Sequence, residues 1–270
     1  MRYPAVCDSH CHSDHSRDGR DSITDLYRRA RDLGLRAVTI TDHCEINAYL
    51  SEGYRDSVIV SFQDIRALAE DQPIQTELLA GIEIGQALHD LSYAEQTLDR
   101  CAYDFVLASV HSVRNERDFF ELDYSAVDVD HFLRRYFEEL LELTVWGNFD
   151  SLAHLTYPLR YIVGEHGIPV DMARYMPQID EILRALAKGG KALEVNTSGL
   201  RQAIGQTMPH LDLVRRFRAL GGRFVTVGSD AHCAADLGKG IAEGYDLLRA
   251  AGFRYVTVYR GRQPEQITLG

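Results

Sequence analysis

The chain has 270 residues, 29 Lys or Arg against 40 Asp or Glu, and a formal charge of −11, an acidic balance that argues against a broad footprint on long nucleic acid, where clustered Lys and Arg are needed. With 45% apolar and 26% charged residues it has the makeup of a soluble globular protein, neither low-complexity nor disordered. The longest unbroken apolar run, Phe105 to Ala108, is far short of the roughly 20 residues of a membrane span, and Arg2, Asp8, Asp14, Arg17 and Asp18 stand where a signal peptide would be apolar.

In chain order, a first strand is expected over 3–9. Ile23, Leu26, Tyr27, Ala30 and Leu33 then recur at helical spacing behind a Ser22 cap, and Gly34 closes that helix. Ala37 to Thr41 is short and β-branched, as befits a parallel strand covered on both faces. Further strands are expected over 77–83, 104–110, 149–153, 192–196 and 223–228, with a weaker one over 254–259. Between them, Phe132, Leu133, Tyr136, Phe137, Leu140 and Leu141 mark one helical stripe; Leu211, Val214, Phe217 and Leu220 mark another behind Pro209. Alternating βα units of this kind predict an α/β fold with a parallel sheet closed into a TIM-like barrel, built as a single domain over 1–270. An open doubly wound sheet is the competing architecture, but no G-x-G-x-x-G follows the first strand. The connections 44–60, 112–126 and 156–175 are long enough to be lids or substrate walls. Five cysteines (Cys7, Cys11, Cys44, Cys101, Cys233), odd in number and without paired spacing, fit small apolar packing in a reducing cytoplasm.

The strand ends carry the chemistry. His10 and His12 end the first, Asp42 and His43 the second, Glu83 the third, His111 the fourth and His154 the fifth, and Asp230 with His232 ends the seventh. In a barrel all these carboxyl ends meet on one face. Residues i and i+2 of a strand point the same way, so His10 and His12 can converge while Cys11 faces the other layer. One such histidine alone would be an ordinary core imidazole. So many buried polar groups together require a cation. Imidazole and carboxylate without thiolate suit Zn, Mn, Fe or Co, and the number of donors exceeds one tetrahedral shell, so two or three divalent ions are expected, with Glu83 and Asp230 as bridges.

In D-S-H-C-H-S (8–13), S-R-D-G (16–19), I-T-D-H (40–43), G-I-E-I (81–84), S-V-H-S (109–112), A-H-L (153–155) and G-S-D-A-H (228–232), the sequence resembles the PHP family, the polymerase and histidinol phosphatase superfamily. The resemblance implies a distorted barrel of about seven βα units with a trinuclear centre at its C-terminal face. His10, His12, Glu83 and Asp230 would hold the first ion, Glu83, His111 and His154 the second, and Asp18, His43 and His232 the third. For the loop ligand, H-S-x-x-S-x-D favours Asp18 over His15.

Stand-alone length, together with Arg160 beyond His154 and Arg201 in E-V-N-T-S-G-L-R (194–201), is similar to the histidinol-phosphatase branch. Arginines so placed would grip phosphate, whose oxygens match a planar guanidinium. The implied activity is hydrolysis of a small phosphate monoester, L-histidinol phosphate, to L-histidinol and phosphate in histidine biosynthesis. Competing readings are another phosphoester (a nucleoside bisphosphate, an oligonucleotide end, phosphotyrosine) or a metal-binding protein without turnover. Asp42 is expected to orient His43 or to help proton transfer. In the loop 114–123, Glu116 and Phe119, beside Phe120 and Glu121, suit an ammonium group and a stacked imidazole.

Overall fold

The computed structural model describes Tyr3, residues 5–70 and residues 75–270. β1 (Cys7–Cys11) runs later than the expected 3–9, and residue 4 of that range lies outside the described residues. α1 (Ile23–Asp32) starts at the expected cap, where Ser22 Oγ accepts from Asp25 N at 3.2 Å, and it buries Leu26, Tyr27 and Ala30. β2 (Ala37–Ile40) and β3 (His43–Glu45) follow with only two residues between them. Next come α2 (Tyr54–Glu70), β4 (Glu77–Gly85), α3 (Leu91–Arg100) and β5 (Phe105–Ser109). α4 (Val129–Trp146) carries the expected stripe, except that Leu143 rather than Leu141 completes the fully buried row. Each large side chain so buried stabilises by about 1.5–3 kcal/mol.

β6 (Ser151–Leu152) is shorter than expected, and α5 (Met176–Gly189), β7 (Ala192–Asn196), α6 (Leu211–Ala219), β8 (Val225–Gly228) and α7 (Ile241–Ala250) complete the alternation. Parallel strands neighbour one another in the order β1-β2-β4-β5-β6-β7-β8. Beyond their ends the first and last meet: Asp230 N donates to His10 O and His12 N to Ala231 O, both at 2.8 Å. Asp8 locks the same seam, accepting from Ser229 N at 2.8 Å and Gly238 N at 2.9 Å. The sheet is thus a nearly closed barrel of seven parallel strands, as the alternation predicts.

Two elements depart from the sequence reading. The run 254–259 is not a barrel strand: β9 (Tyr255–Arg260) pairs antiparallel with β10 (Gln263–Thr268). Their turn closes the N-terminal end of the barrel, with Arg262 N donating to Asp104 O at 2.8 Å and Tyr259 packed among Phe105, Leu107, Ala153 and Ala192. β3 is the second departure. It pairs only with β4, setting His43 opposite Glu83 and Glu45 opposite Gly85, and its polar sequence H-C-E hides it from an apolar-run search. The long connection 156–175 holds a π-helical turn, Arg160–Glu165. Among the described residues no helix is long and apolar enough to cross a membrane.

Candidate metal centre

Strand alternation turns Cys11 Sγ toward Thr39 O at 3.3 Å and leaves His10 and His12 together, their Nε2 atoms 2.9 Å apart. From β4, Glu83 enters between two groups of imidazoles. Its Oε2 lies 3.2 Å from His10 Nε2, 3.5 Å from His12 Nε2 and 3.1 Å from His43 Nδ1. Its Oε1 lies 3.1 Å from His154 Nε2 and 3.3 Å from His111 Nε2. Asp230, at the barrel seam and in the left-handed region (φ +52°), brings Oδ1 to 3.4 Å from His12 Nε2 and 3.6 Å from His10 Nε2. A non-glycine residue held there is a strained placement of the sort found at functional sites. On the open side Asp18 meets His232 Nε2 at 3.0 Å and His43 Nε2 at 3.8 Å, and the His12 ring is stacked between those of His43 and His232. The structure therefore brings together His10, His12, Asp18, His43, Glu83, His111, His154, Asp230 and His232. His15 turns away to Asp64, 3.1 Å distant, in a separate surface hollow.

Burial works against charge here, and the neighbours decide the outcome. It pushes the Glu83 and Asp230 carboxyls up, but surrounding histidines, with Arg160 beside Asp230, hold both well below the usual carboxylate range. Burial pushes His10 down, yet Glu194, Glu83 and Asp230 carry it well above the usual imidazole value; His43 rises likewise, mainly through Glu83, to about 9. Burial, then His43 and His232, drives His12 well below. His10 Nδ1 donates to Glu194 Oε1 at 2.6 Å, which leaves the Nε2 of a neutral ring as a bare lone pair aimed at His12, Glu83 and Asp230. Crowded lone pairs and anionic oxygens, with Cys11 and Cys44 buried and free, fit hard or borderline divalent cations.

Glu45 and Glu194 are absent from the sequence reading. Glu194 takes His10 Nδ1 on one oxygen and His154 N, at 2.8 Å, on the other. Glu45 lies 2.9 Å from His111 Nδ1. The signal for Glu45 was its place two residues after His43; that for Glu194 was its place at the head of the motif containing Arg201.

Of the two roles expected of Asp42, the structure fits support of the His43 segment and not proton transfer. The Asp42 oxygens accept from Ser13 N and Ser13 Oγ at 2.7 Å, Ser16 Oγ at 2.8 Å and Ser61 Oγ at 2.6 Å, and it does not line the cleft. Ser16 Oγ in turn accepts from His43 N at 3.0 Å. Asp42 thus fixes the turn that follows His12 and has no oxygen left to move a proton. Asp42→Ala strands buried donors at about 1–3 kcal/mol each, so a stability loss of at least about 3 kcal/mol is expected in denaturant unfolding. Asp42→Asn should keep most of both stability and turnover. Turnover abolished in Asp42→Asn at unchanged stability would restore a chemical role.

The cleft over this centre encloses about 950 Å³, and Arg17, Arg20, Arg117 and Arg160 line it. Arg160 stacks over Tyr157, 4.9 Å from the ring centroid, and its Nη2 donates to Ser198 Oγ at 2.8 Å and Asp230 Oδ2 at 3.2 Å. Its Nε is buried without a partner. Arg201 does not line the cleft: its Nη2 donates to Ser229 O at 2.9 Å, supporting the backbone beside Asp230, and its Nη1 is buried without a partner. Phe119 is also corrected. It is fully buried, edge-on to Phe132, Tyr136 and Tyr157, and cannot stack on a ligand. The neighbouring Phe120, 63% exposed, lines the cleft instead, and so does Glu116, which pairs with Arg135 at 3.2 Å.

Residues 8–198 match the PHP domain family. A probable histidinol-phosphatase of Thermotoga maritima is 30% identical over 94% of this chain and 95% of its own length. A histidinol-phosphatase of Lactococcus lactis is 28% identical, over 94% of each chain. Among solved structures, the Lactococcus lactis histidinol phosphate phosphatase in complex with zinc, L-histidinol and phosphate superposes with a TM-score of 0.80 at 27% identity, covering 96% of this chain and 98% of that one. The order of motifs along the sequence, the seven-stranded barrel and these likenesses agree: the chain belongs to the PHP domain family.

Proposed function

We propose that the chain, acting as one PHP domain over 1–270, hydrolyses L-histidinol phosphate to L-histidinol and inorganic phosphate with two or three divalent ions, zinc, manganese or iron. The observation that carries this reading is the convergence of ionised acids and imidazole lone pairs at one barrel mouth beside a buried guanidinium. The likeness to the zinc-, histidinol- and phosphate-bound relative supports it. His10, His12, Glu83 and Asp230 would hold one ion, Glu83, His111 and His154 a second, and Asp18, His43 and His232 a third. Divalent cations there supply charge neutralisation at phosphorus and acidify water toward neutral pH.

The chain's own residues do the rest. Arg160, which lines the cleft, would meet a phosphate oxygen with its guanidinium, whereas Arg201, which does not line it, would act on the site only through the backbone beside Asp230. Glu83 and Asp230, held well below the usual carboxylate range, give the cleft floor negative charge, and a bound ion would displace the protons that His10 and His43 otherwise hold. Phe120 supplies an aromatic face for an imidazole, and Glu116 a negative charge for an ammonium group. Five free cysteines support a cytoplasmic setting.

The test is a panel of L-histidinol phosphate, phosphotyrosine, a nucleoside bisphosphate and a dinucleotide, assayed with zinc, manganese and iron. Histidinol phosphate should give the highest kcat/KM; preference for any other substrate overturns the assignment. The two phenylalanines should behave oppositely. Phe120→Ala should raise KM for histidinol phosphate by up to about tenfold, the worth of an aromatic contact, without loss of stability. Phe119→Ala should cost about 3–5 kcal/mol of stability. Equal KM in wild type and Phe120→Ala removes the stacking role.

A further inference from the structure

Glu45 reaches the centre by a route outside the ligand motifs. As the last residue of β3, two positions after His43, it shares that residue's face of the strand. Its Oε1 lies 2.9 Å from His111 Nδ1 and 3.5 Å from His43 Nδ1, while Oε2 is buried without a partner. The ladder sets Glu45 opposite Gly85. A Cβ at Gly85 would fall 2.6 Å from the Glu45 carboxyl carbon, and Gly85 is not among the residues of positive φ. Glycine is therefore required there for room, not for backbone freedom, and what needs the room is the carboxylate.

We infer that Glu45 is a positioning residue for His111: it accepts the Nδ1–H and so fixes the ring with its bare Nε2 toward Glu83 and His154, and Gly85 is the notch that admits the carboxylate. The His111 Nε2 atom stands 3.3 Å from Glu83 Oε1 and 3.3 Å from His154 Nε2, so a ring rotated by even a modest angle would leave that group. A carboxylate on the far nitrogen of a ligating histidine also raises its basicity. This inference rests on the reading of His111 as a metal ligand.

The experiment follows zinc leaving the zinc-loaded protein into a chromogenic chelator. Glu45→Ala should release zinc about 10- to 100-fold faster. Glu45→Gln, whose amide oxygen still accepts from Nδ1, should hold it nearly as wild type does. Gly85→Ala is the second variant. The three atoms nearest its added methyl all belong to the flexible end of the Glu45 side chain, so the strand still forms, yet zinc should be lost as fast as from Glu45→Ala. Combining Gly85→Ala with Glu45→Ala should add nothing, because the methyl then has no carboxylate to displace. Additive losses, or wild-type retention in Glu45→Ala, overturn the role of Glu45. His111→Ala separates the two levels: unchanged zinc retention there sinks the ligand reading itself, whereas loss there with none in Glu45→Ala sinks only the positioning role.

Discussion

Replacing Glu83 by Gln is expected to lower kcat/KM for histidinol phosphate by at least about 10³-fold, since a carboxylate shared between two ions would command several kcal/mol of charge stabilisation and each 1.36 kcal/mol is tenfold. Glu83 is fully buried and uses both oxygens, one toward His10, His12 and His43 and the other toward His111 and His154. An amide of the same size keeps one acceptor and turns the other into a donor. That donor would then take up with its N–H an imidazole lone pair that would otherwise face a cation. The substitution also deletes the negative charge that would draw cations between the two groups of imidazoles, a charge that adds to those of Glu194 and Glu45 in holding His10, His43 and His111 above the usual imidazole range. Elemental analysis of dialysed protein should show the loss of at least one ion per chain, and adding excess metal should not restore the rate. Retained turnover with unchanged metal content would mean that the cluster is not the reaction centre.

The convergence of these side chains was readable because two rules leave little freedom: parallel barrel strands end on one face, and alternate residues share a side. The second rule, applied to His10 and His12 but not to His43, would also have chosen between the acids flanking the latter. Glu45, two residues on, reaches His111, whereas the adjacent Asp42 is turned into the Ser13, Ser16 and Ser61 cluster. Phe119 and Phe120 sit in a short turn with no strand period to distinguish them; which one turns inward is settled by the aromatic cluster of α4 and Tyr157, a tertiary fact. β9 was readable as a strand but not as an antiparallel one. Its direction follows from the two-residue turn Gly261–Arg262, both at positive φ, which folds β10 back beside it. Arginine is an uncommon occupant of such a turn, and here Asp150 and Asn148, both distant in sequence, hold its guanidinium. Arg201 lay in the right motif, yet only the seam of the barrel explains why its Nη2 is committed to the carbonyl of Ser229.

Arg160→Lys is expected to lower kcat/KM by about 10²-fold and Arg160→Ala by about 10²- to 10³-fold, the range for removing one preorganised donor from developing charge. Lysine keeps the charge, but it cannot donate to Ser198, Asp230 and a phosphate oxygen from one plane, nor lie flat on Tyr157 as the guanidinium does. The side chain is only 13% exposed, so little water screens it and its worth is larger than that of a surface arginine. Because Arg160 also touches the Asp230 carboxylate, a fall in rate alone would not distinguish weaker phosphate binding from a disturbed metal ligand. Inorganic phosphate, as product inhibitor, makes the distinction. If Arg160 grips the phosphoryl group, the inhibition constant should rise in parallel with KM while the metal content per chain stays at the wild-type value. If the metal content falls and the phosphate inhibition constant holds, the guanidinium serves Asp230 alone, and the phosphate must find its donors elsewhere in the cleft, Arg17, Arg20 and Arg117 being the cations that line it.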